Sequence, residues 1–249
     1  MKSEKSLPLL TGRKPVLEAL EQGTTIEKIF LLRTATGIEI NEIKKLAKER
    51  NIPISQVPIE KLDYLSKNPH QGVAAWASLI QYIDLQEAIS HVVEKGQSPL
   101  FLLLDGITDT RNVGAIARSA LCCGAHGIIL PLSHTAALTT EAIKTSAGAL
   151  NKILLCRIPS VQQAIDVLKL NGIQIFGTFL KGSIPIYECD FSGPTTIIMG
   201  AEDTGISKEA IKRVDTLIKI PMVSTFDSLN VSVAAGIILY EAMKQRILG

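Results

Sequence analysis

The chain has no apolar run near the roughly 20 residues that a helical membrane span needs. Its first residues, Met1-Lys-Ser-Glu-Lys, lack the apolar core of a secretory signal. A cytoplasmic protein without a membrane is therefore expected. Cysteine is scarce. Cys122, Cys123, Cys156 and Cys189 show no metal-type pair spacing and fall in apolar surroundings, which points to reduced, packed thiols rather than disulfides or a zinc site. The histidines at 70, 91, 126 and 134 are scattered too, so no metal is expected. Nor does one sign of charge dominate: 26 Lys and Arg against 24 Asp and Glu leave a net charge of +2. Any basic surface must come from local arrangement, and charge alone does not indicate a nucleic-acid partner. Internal repeats and low-complexity tracts are absent as well.

What is present is a pattern. With 249 residues and 46% hydrophobic content, the chain can bury a large core in one or two domains. Residues 1–80 alternate short elements: a helix from Pro15 to Leu20, a strand from Ile26 to Leu32, and an amphipathic helix from Ile38 to Arg50 ended by Asn51. A strand from Ile54 to Val57, a short helix from Ile59 to Leu65 and a strand from Val73 to Ile80 follow, which predicts a small α/β domain. Leu85 to Lys95 reads as helix or linker and Gly96-Gln-Ser-Pro99 as turn chemistry, so residues 81–97 are assigned as a linker before a second domain at 98–249. There, strands are expected near 100–104, 127–130, 153–155, 173–178, 195–199 and 217–220. Helices are expected at 113–123, 139–149, 160–170, 207–213 and 229–247. That alternation predicts an α/β fold with a mostly parallel sheet covered on both faces.

Three segments share one grammar, an apolar stretch bordering a loop of Gly, Asp, Asn, Ser or Glu. They are Leu102 to Ala120 with Asn112 and Arg118, Thr196 to Gly205 with Gly200 and Glu202, and Ile220 to Glu241 with Ser228 and Asn230. Ligands of open α/β sheets sit at the carboxyl ends of strands, which makes these loops the candidate site. Asn112 reads as the cap of the helix it opens, and Asp227 or Ser228 as the cap of the last helix. Leu229, Val233, Ile237 and Tyr240 recur at helical spacing there and predict a buried stripe. Arg118 is the only charged side chain between Asn112 and Gly127. Burying an unpaired guanidinium is costly, so it is expected to face a site or an acidic partner. No Gly-x-Gly-x-x-Gly follows the first strand of this half, which argues against a dinucleotide fingerprint.

In this order the three segments resemble the signature motifs of the SpoU (TrmH-type) branch of the knotted RNA methyltransferases, the SPOUT superfamily, and the resemblance runs through the whole chain. It implies a deep trefoil knot near the C-terminus, an exception to the rule that chains do not thread loops. It also implies a homodimer, and S-adenosylmethionine held in the knot largely by main-chain groups. Carried onto this chain, the cofactor positions are Gly200, Ile220 and Leu229, with Thr178 nearby. The catalytic set is Arg118, Asn112, Glu202, Ser228 and Asn230. The family's arginine is often described as the base that takes the ribose 2′-OH proton. A guanidinium offers donors and no acceptor, so positioning a phosphate and stabilising a developing alkoxide is at least as good a reading. Glu202 would orient Arg118 or the methionine end of the cofactor, while Ser228 and Asn230 would hydrogen-bond substrate or cofactor. One departure is visible: Ser224 stands where the third motif has Gly.

Thr11 to Leu20 and Asn68 to Val73 resemble the RNA-recognition domain of the rRNA guanosine 2′-O-methyltransferases, whose fold is like that of certain ribosomal proteins. The implied RNA contacts are Arg13, Lys14, His70 and Gln71. The function so implied is methylation of the ribose 2′-OH of a guanosine in large-subunit (23S) rRNA. A tRNA ribose methyltransferase is the alternative, against which the whole auxiliary N-terminal domain and the lack of basic terminal extensions argue. A non-catalytic RNA-binding or ribosome-assembly factor is a third reading, against which the presence of Arg118 and Asn230 argues.

Overall fold

The computed structural model describes residues 8–133, 135, 138–180, 184–223 and 228–248. The chain divides into two units: residues through Gln81 with the short segment around Leu138 and Thr139, and the rest from Tyr82 onward.

The first unit runs β1 (Leu9–Thr11), α1 (Arg13–Glu21), β2 (Ile26–Leu32), α2 (Ile38–Glu49), β3 (Ile54–Val57), α3 (Ile59–Leu65) and β4 (Val73–Ala77). Its sheet has the order β1-β4-β2-β3, with β2 and β3 parallel and the β1/β4 and β2/β4 pairs antiparallel. Successive strand residues face opposite ways, so the sheet feeds two cores. Ile29, Leu31, Val73 and Ala75 pack with Val16 and Leu20 of α1 and Ile40 and Ile43 of α2. Phe30, Ala74 and Trp76 pack with Leu62 of α3, the two rings meeting edge to face at 4.7 Å between centroids. α2 ends as expected at Asn51, whose φ of 52° reverses the chain while Asn51 N donates to Lys48 O and Ile52 N to Ala47 O. β4 stops at Ala77 rather than Ile80. The Ser78 hydroxyl donates to Ile80 O and accepts from Ile80 N, a local turn that competes with the ladder.

The second unit contains α4 (Leu85–Glu94), β5 (Leu100–Asp105), α5 (Thr110–Cys122), β6 (Gly127–Pro131), α6 (Thr140–Thr145), β7 (Leu154–Ile158), α7 (Val161–Leu170) and β8 (Gln174–Thr178). β9 (Ile184–Pro185), β10 (Thr195–Gly200), α8 (Lys208–Ile211), β11 (Thr216–Lys219) and α9 (Val231–Leu248) complete it. Seven strands lie in the order β7-β6-β5-β10-β8-β11-β9, and every neighbouring pair is parallel. β10 enters between β5 and β8, and β11 between β8 and β9, so two late strands are placed inside a sheet whose other members precede them. β5, β6 and β10 are buried along their whole lengths, as central parallel strands should be.

Three expectations need correction here. Residues 81–97 are not a linker: Ile83 bridges to Cys156, and α4 places Leu85, Ala88, Ile89 and Val92 in the core with Phe101, Leu103 and Cys156. Cys156 is buried so completely that its thiol is pushed up to about 12. The helix expected at 139–149 breaks after Thr145 because the Ser146 hydroxyl donates to Ile143 O and accepts from Leu150 N, with Ala147 and Gly148 both at positive φ. β9, a two-residue edge strand, had no periodic signal to reveal it. Among the described residues no helix is long and apolar enough to cross a membrane.

Removing α4 would strip Leu85, Ile89 and Val92 from the core, at about 1.5–3 kcal/mol each. The sum is comparable with the whole stability of a typical domain, about 5–15 kcal/mol. A fragment spanning residues 82–249 is expected to melt cooperatively, and one spanning 98–249 is not. Equal, cooperative circular-dichroism melts of both would restore the linker assignment.

Candidate active site

The ends of β8, β10 and β11 open onto a cavity of about 360 Å³, within the range of small-molecule sites. Thr178, Gly200, Ile220 and Leu229 all line it, as do Glu202 and Ser228. Three of the four cofactor-type positions contribute little beyond apolar surface and main chain. The Thr178 hydroxyl is already spent on Ile198 O at 3.0 Å. The main-chain groups of Ile220 and Leu229 have no hydrogen-bond partner among the described residues, so the cavity carries polar backbone groups that a ligand can satisfy.

The loop after β10 explains Gly200. A Cβ there would lie 2.1 Å from the Gly205 carbonyl carbon, because the chain doubles back with Ala201 N donating to Gly205 O and Gly205 N to Ala201 O. Gly205 closes this loop at φ 68°. Glu202 stands on it, and its carboxylate gathers the other motifs. Oε1 accepts from Asn230 Nδ2 at 2.6 Å, from Asn112 Nδ2 at 3.2 Å and from Val231 N at 3.3 Å. Asn230 Nδ2 also donates to Asn112 Oδ1 at 3.1 Å. One residue from each motif thus meets in a single hydrogen-bonded triangle.

That triangle corrects both helix caps. α5 begins at Thr110 and is capped by Asp109, whose Oδ1 accepts from Arg111 N, so Asn112 lies inside the first turn and is free to reach Glu202. α9 is capped by Asn230, whose Oδ1 accepts from Ser232 N at 2.9 Å and from the Ser232 hydroxyl at 2.6 Å. Ser228 lines the cavity instead, and Asp227, like Ser224, lies outside the described residues.

Arg118 is not buried. It projects from the exposed side of α5, does not line the cavity, and has no hydrogen bond or ion pair among the described residues. Arg118 therefore bears no desolvation cost, and among the described residues Glu202 makes no bond to it. The stripe expected to bury α9 faces outward as well: Val233, Ile237 and Tyr240 are 50%, 38% and 59% exposed. Val231, Ala235, Ile238, Leu239 and Ala242 are the buried residues. α9 packs against α5 at small residues, a Cβ on Gly236 coming 3.7 Å from Ser119 Oγ.

In the first unit, Arg13, Lys14 and Gln71 line one cavity. His70 does not. Its Nδ1 accepts from Gly72 N at 3.0 Å, so Nε2 carries the proton it shares with Asp63 Oδ1 at 3.0 Å, and the ring is a structural brace. Sequence reasoning missed Thr34, Thr36 and Glu39, which complete this cavity. The run Thr34-Ala-Thr-Gly37 between β2 and α2 was the available signal. In the second unit it missed Asp203 and Lys219, charged residues on the wall of the cavity there.

Residues 99–240 match the model of the SpoU rRNA Methylase family, and residues 9–83 match a model described as RNA 2′-O ribose methyltransferase substrate binding. A Staphylococcus saprophyticus protein named for the TrmH family of tRNA/rRNA methyltransferases is 38% identical over 96% of each chain. The crystal structure of the SpoU methyltransferase AviRb from Streptomyces viridochromogenes with AdoMet superposes with a TM-score of 0.63 at 28% identity, over 97% of this chain and 91% of that one. An AdoMet-bound rRNA methyltransferase from Sinorhizobium meliloti gives a TM-score of 0.60 at 26% identity, over 96% and 87%.

Because one carboxylate oxygen takes three donors, Glu202→Ala is expected to cost about 1–2 kcal/mol, a shift of several degrees in Tm. Asp203→Ala, next door and bonded among the described residues only to Thr204 N, should stay within about 0.5 kcal/mol. Urea denaturation of the two variants decides the matter. Equal small effects would mean that Glu202 does not hold the loops together.

Proposed function

The chain belongs to the SpoU rRNA methylase family, and from that premise we propose that it methylates the ribose 2′-OH of a guanosine in large-subunit rRNA, using S-adenosylmethionine. The observation that carries this reading is the meeting of Asn112, Glu202 and Asn230 beside a cavity walled by Gly200, Ile220 and Leu229. The cavity suits the cofactor's mixed character, with apolar walls for a flat ring and, at Ile220 and Leu229, main-chain groups that have no partner among the described residues for its edge. We read the insertion of β10 and β11 between earlier strands as the framework of a trefoil knot.

When bound, S-adenosylmethionine supplies a sulfonium methyl group that a ribose 2′-oxygen can attack in line. Thr178, Gly200, Ile220 and Leu229 would hold it, and the triangle would fix the loops around it. Asn112 and Asn230 have their amides oriented by Glu202, which leaves Ser228 on the cavity wall to reach cofactor or ribose. Arg118, exposed and unpaired among the described residues, is poised for an incoming group. Its fork of donors would hold a phosphate beside the reacting ribose and stabilise the oxygen as its proton passes to solvent and the methyl group leaves the sulfonium sulfur. A tRNA substrate is the second reading, favoured by the relative named for both RNAs. Mapping ribose methylation in both RNA classes from a deletion strain separates the two: a lost mark in tRNA alone would overturn the rRNA assignment.

The exposed apolar face of α9 supports a homodimer. Val233, Ile237 and Tyr240 form a stripe of the kind soluble monomers seldom leave open, and a second copy would cover it. Ile237→Glu is expected to convert a dimer into a monomer in sedimentation equilibrium. An unchanged mass would remove α9 from the interface.

Arg118→Ala should lower kcat by about 100- to 1,000-fold, as loss of an oxyanion donor does, with S-adenosylmethionine affinity within about twofold because main-chain groups hold the cofactor. Arg118→Lys keeps the charge and loses the fork. It is expected to remain as impaired as Ala; substantial rescue would mean a point charge suffices. Equal loss of cofactor affinity in Arg118→Ala would place Arg118 in the cofactor site.

A further inference from the structure

The cavity in the first unit measures about 580 Å³, and its walls come from α1, the β2–α2 loop, the first turn of α2 and the turn before β4. Four residues with positive φ shape it: Gly12 at 97°, Gly37 at 127°, Gln71 at 50° and Gly72 at 82°. Gln71 is the costly one, because it has a Cβ. It holds Arg13 at two points, its Oε1 accepting from Arg13 N at 3.2 Å and its main-chain O from Arg13 Nε at 3.1 Å. The guanidinium is thereby aimed, with Nη1 3.9 Å from Glu39. A Cβ on Gly37 would stand 3.0 Å from that same nitrogen and push the guanidinium aside, and the φ of 127° favours glycine there. Lys14 and the hydroxyls of Thr34 and Thr36 line the cavity with no partner among the described residues.

These residues define the ligand's chemistry. Two cations against one carboxylate call for an anion, and unpaired hydroxyls call for groups that both donate and accept. Leu32 and Ala35 provide an apolar floor, and among the described residues no aromatic side chain lines the cavity to act as a stacking platform. The charge of the chain leans the same way: residues 1–81 hold 12 Lys and Arg against nine Asp and Glu, whereas residues 82–249 hold 14 against 15. A duplex presents its bases inside grooves and cannot place one in a concave pocket, whereas an unstacked nucleotide can.

We propose that this cavity binds one unstacked nucleotide of single-stranded RNA, with Arg13 and Lys14 on its phosphate and Thr34, Thr36 and Glu39 on its base or ribose. This rests on the reading that the substrate is RNA, narrows it to unpaired RNA, and excludes His70 from contact.

The test is fluorescence anisotropy of the full chain with a labelled 12-nucleotide single strand and with the same strand annealed to its complement. The single strand should bind at least tenfold tighter. Lys14→Ala and Thr36→Val should each weaken single-strand binding three- to tenfold, while Lys48→Ala, the same charge removed elsewhere on the unit, should change it less than twofold. Equal affinity for duplex and single strand, or equal loss from Lys48→Ala and Lys14→Ala, would overturn the pocket. Methyl transfer to rRNA is measured in parallel. Transfer without any single-strand preference would sink the pocket and leave the reaction standing, and preference without transfer would do the reverse.

Discussion

One carboxylate oxygen organises the candidate active site. Glu202 Oε1 accepts hydrogen bonds from a helix that follows β5 and from a helix start that follows β11, segments that are distant in sequence. For a single acceptor to reach all of them, the loop carrying it must be short and rigid. The crossing of Gly200 under Gly205 provides that rigidity, since no side chain fits at the first position. The same bond determines the start of α9. With Asn230 Nδ2 committed to Glu202, its Oδ1 must face the other way, toward the orphan amides of Ser232 and Val233. Site geometry and helix capping are two ends of one amide group.

The orientation of α9 follows from packing rather than from its apolar pattern. Where α5 and α9 approach closely, only small residues fit, and Gly236, Ser119 and the buried Ala235 and Ala242 supply them. The bulky residues of α9 are divided between the core, which takes Ile238 and Leu239, and the exterior, which is left with Val233, Ile237 and Tyr240. A helix with apolar residues on both sides buries one of them and leaves the other open. The proposed dimer would cover the open one.

Much of the fold was legible in the sequence because buried parallel strands are written as continuous apolar runs. Ile128 to Leu130 and Ile197 to Met199 have almost no alternative. The site was legible at the level of which loops converge, since strand ends in such sheets always point the same way. What could not be read was decided by contacts made elsewhere. The stripe at Val233, Ile237 and Tyr240 has helical spacing, but spacing cannot say which of two apolar faces is inside. Asn112 and Ser228 are good capping residues by type, yet Asp109 and Asn230 hold those positions, and Asn112 turns its amide to Glu202 instead. Leu85 to Lys95 reads equally as helix or linker, because ten residues of helix beside turn chemistry look alike whether packed or free. His70 has the chemistry of an RNA contact, but its two ring nitrogens are occupied by Gly72 and Asp63.

The two cavities are built on opposite principles, with consequences for what each can recognise. The larger unit's cavity relies on main-chain groups at strand ends, which every residue possesses, so apolar side chains there can vary without losing the hydrogen bonds a ligand needs. Its specificity lies in the path of the backbone, which Gly200, Gly205 and Glu202 maintain. The smaller unit's cavity relies on side chains, Arg13, Lys14, Thr34, Thr36 and Glu39, mounted on turns whose positive φ angles keep them apart. There the backbone supplies room and the side chains supply discrimination. On the proposed reading, a reagent common to every reaction would occupy the first kind of site and a variable polymer the second, so that the substrate could change without rebuilding the chemistry.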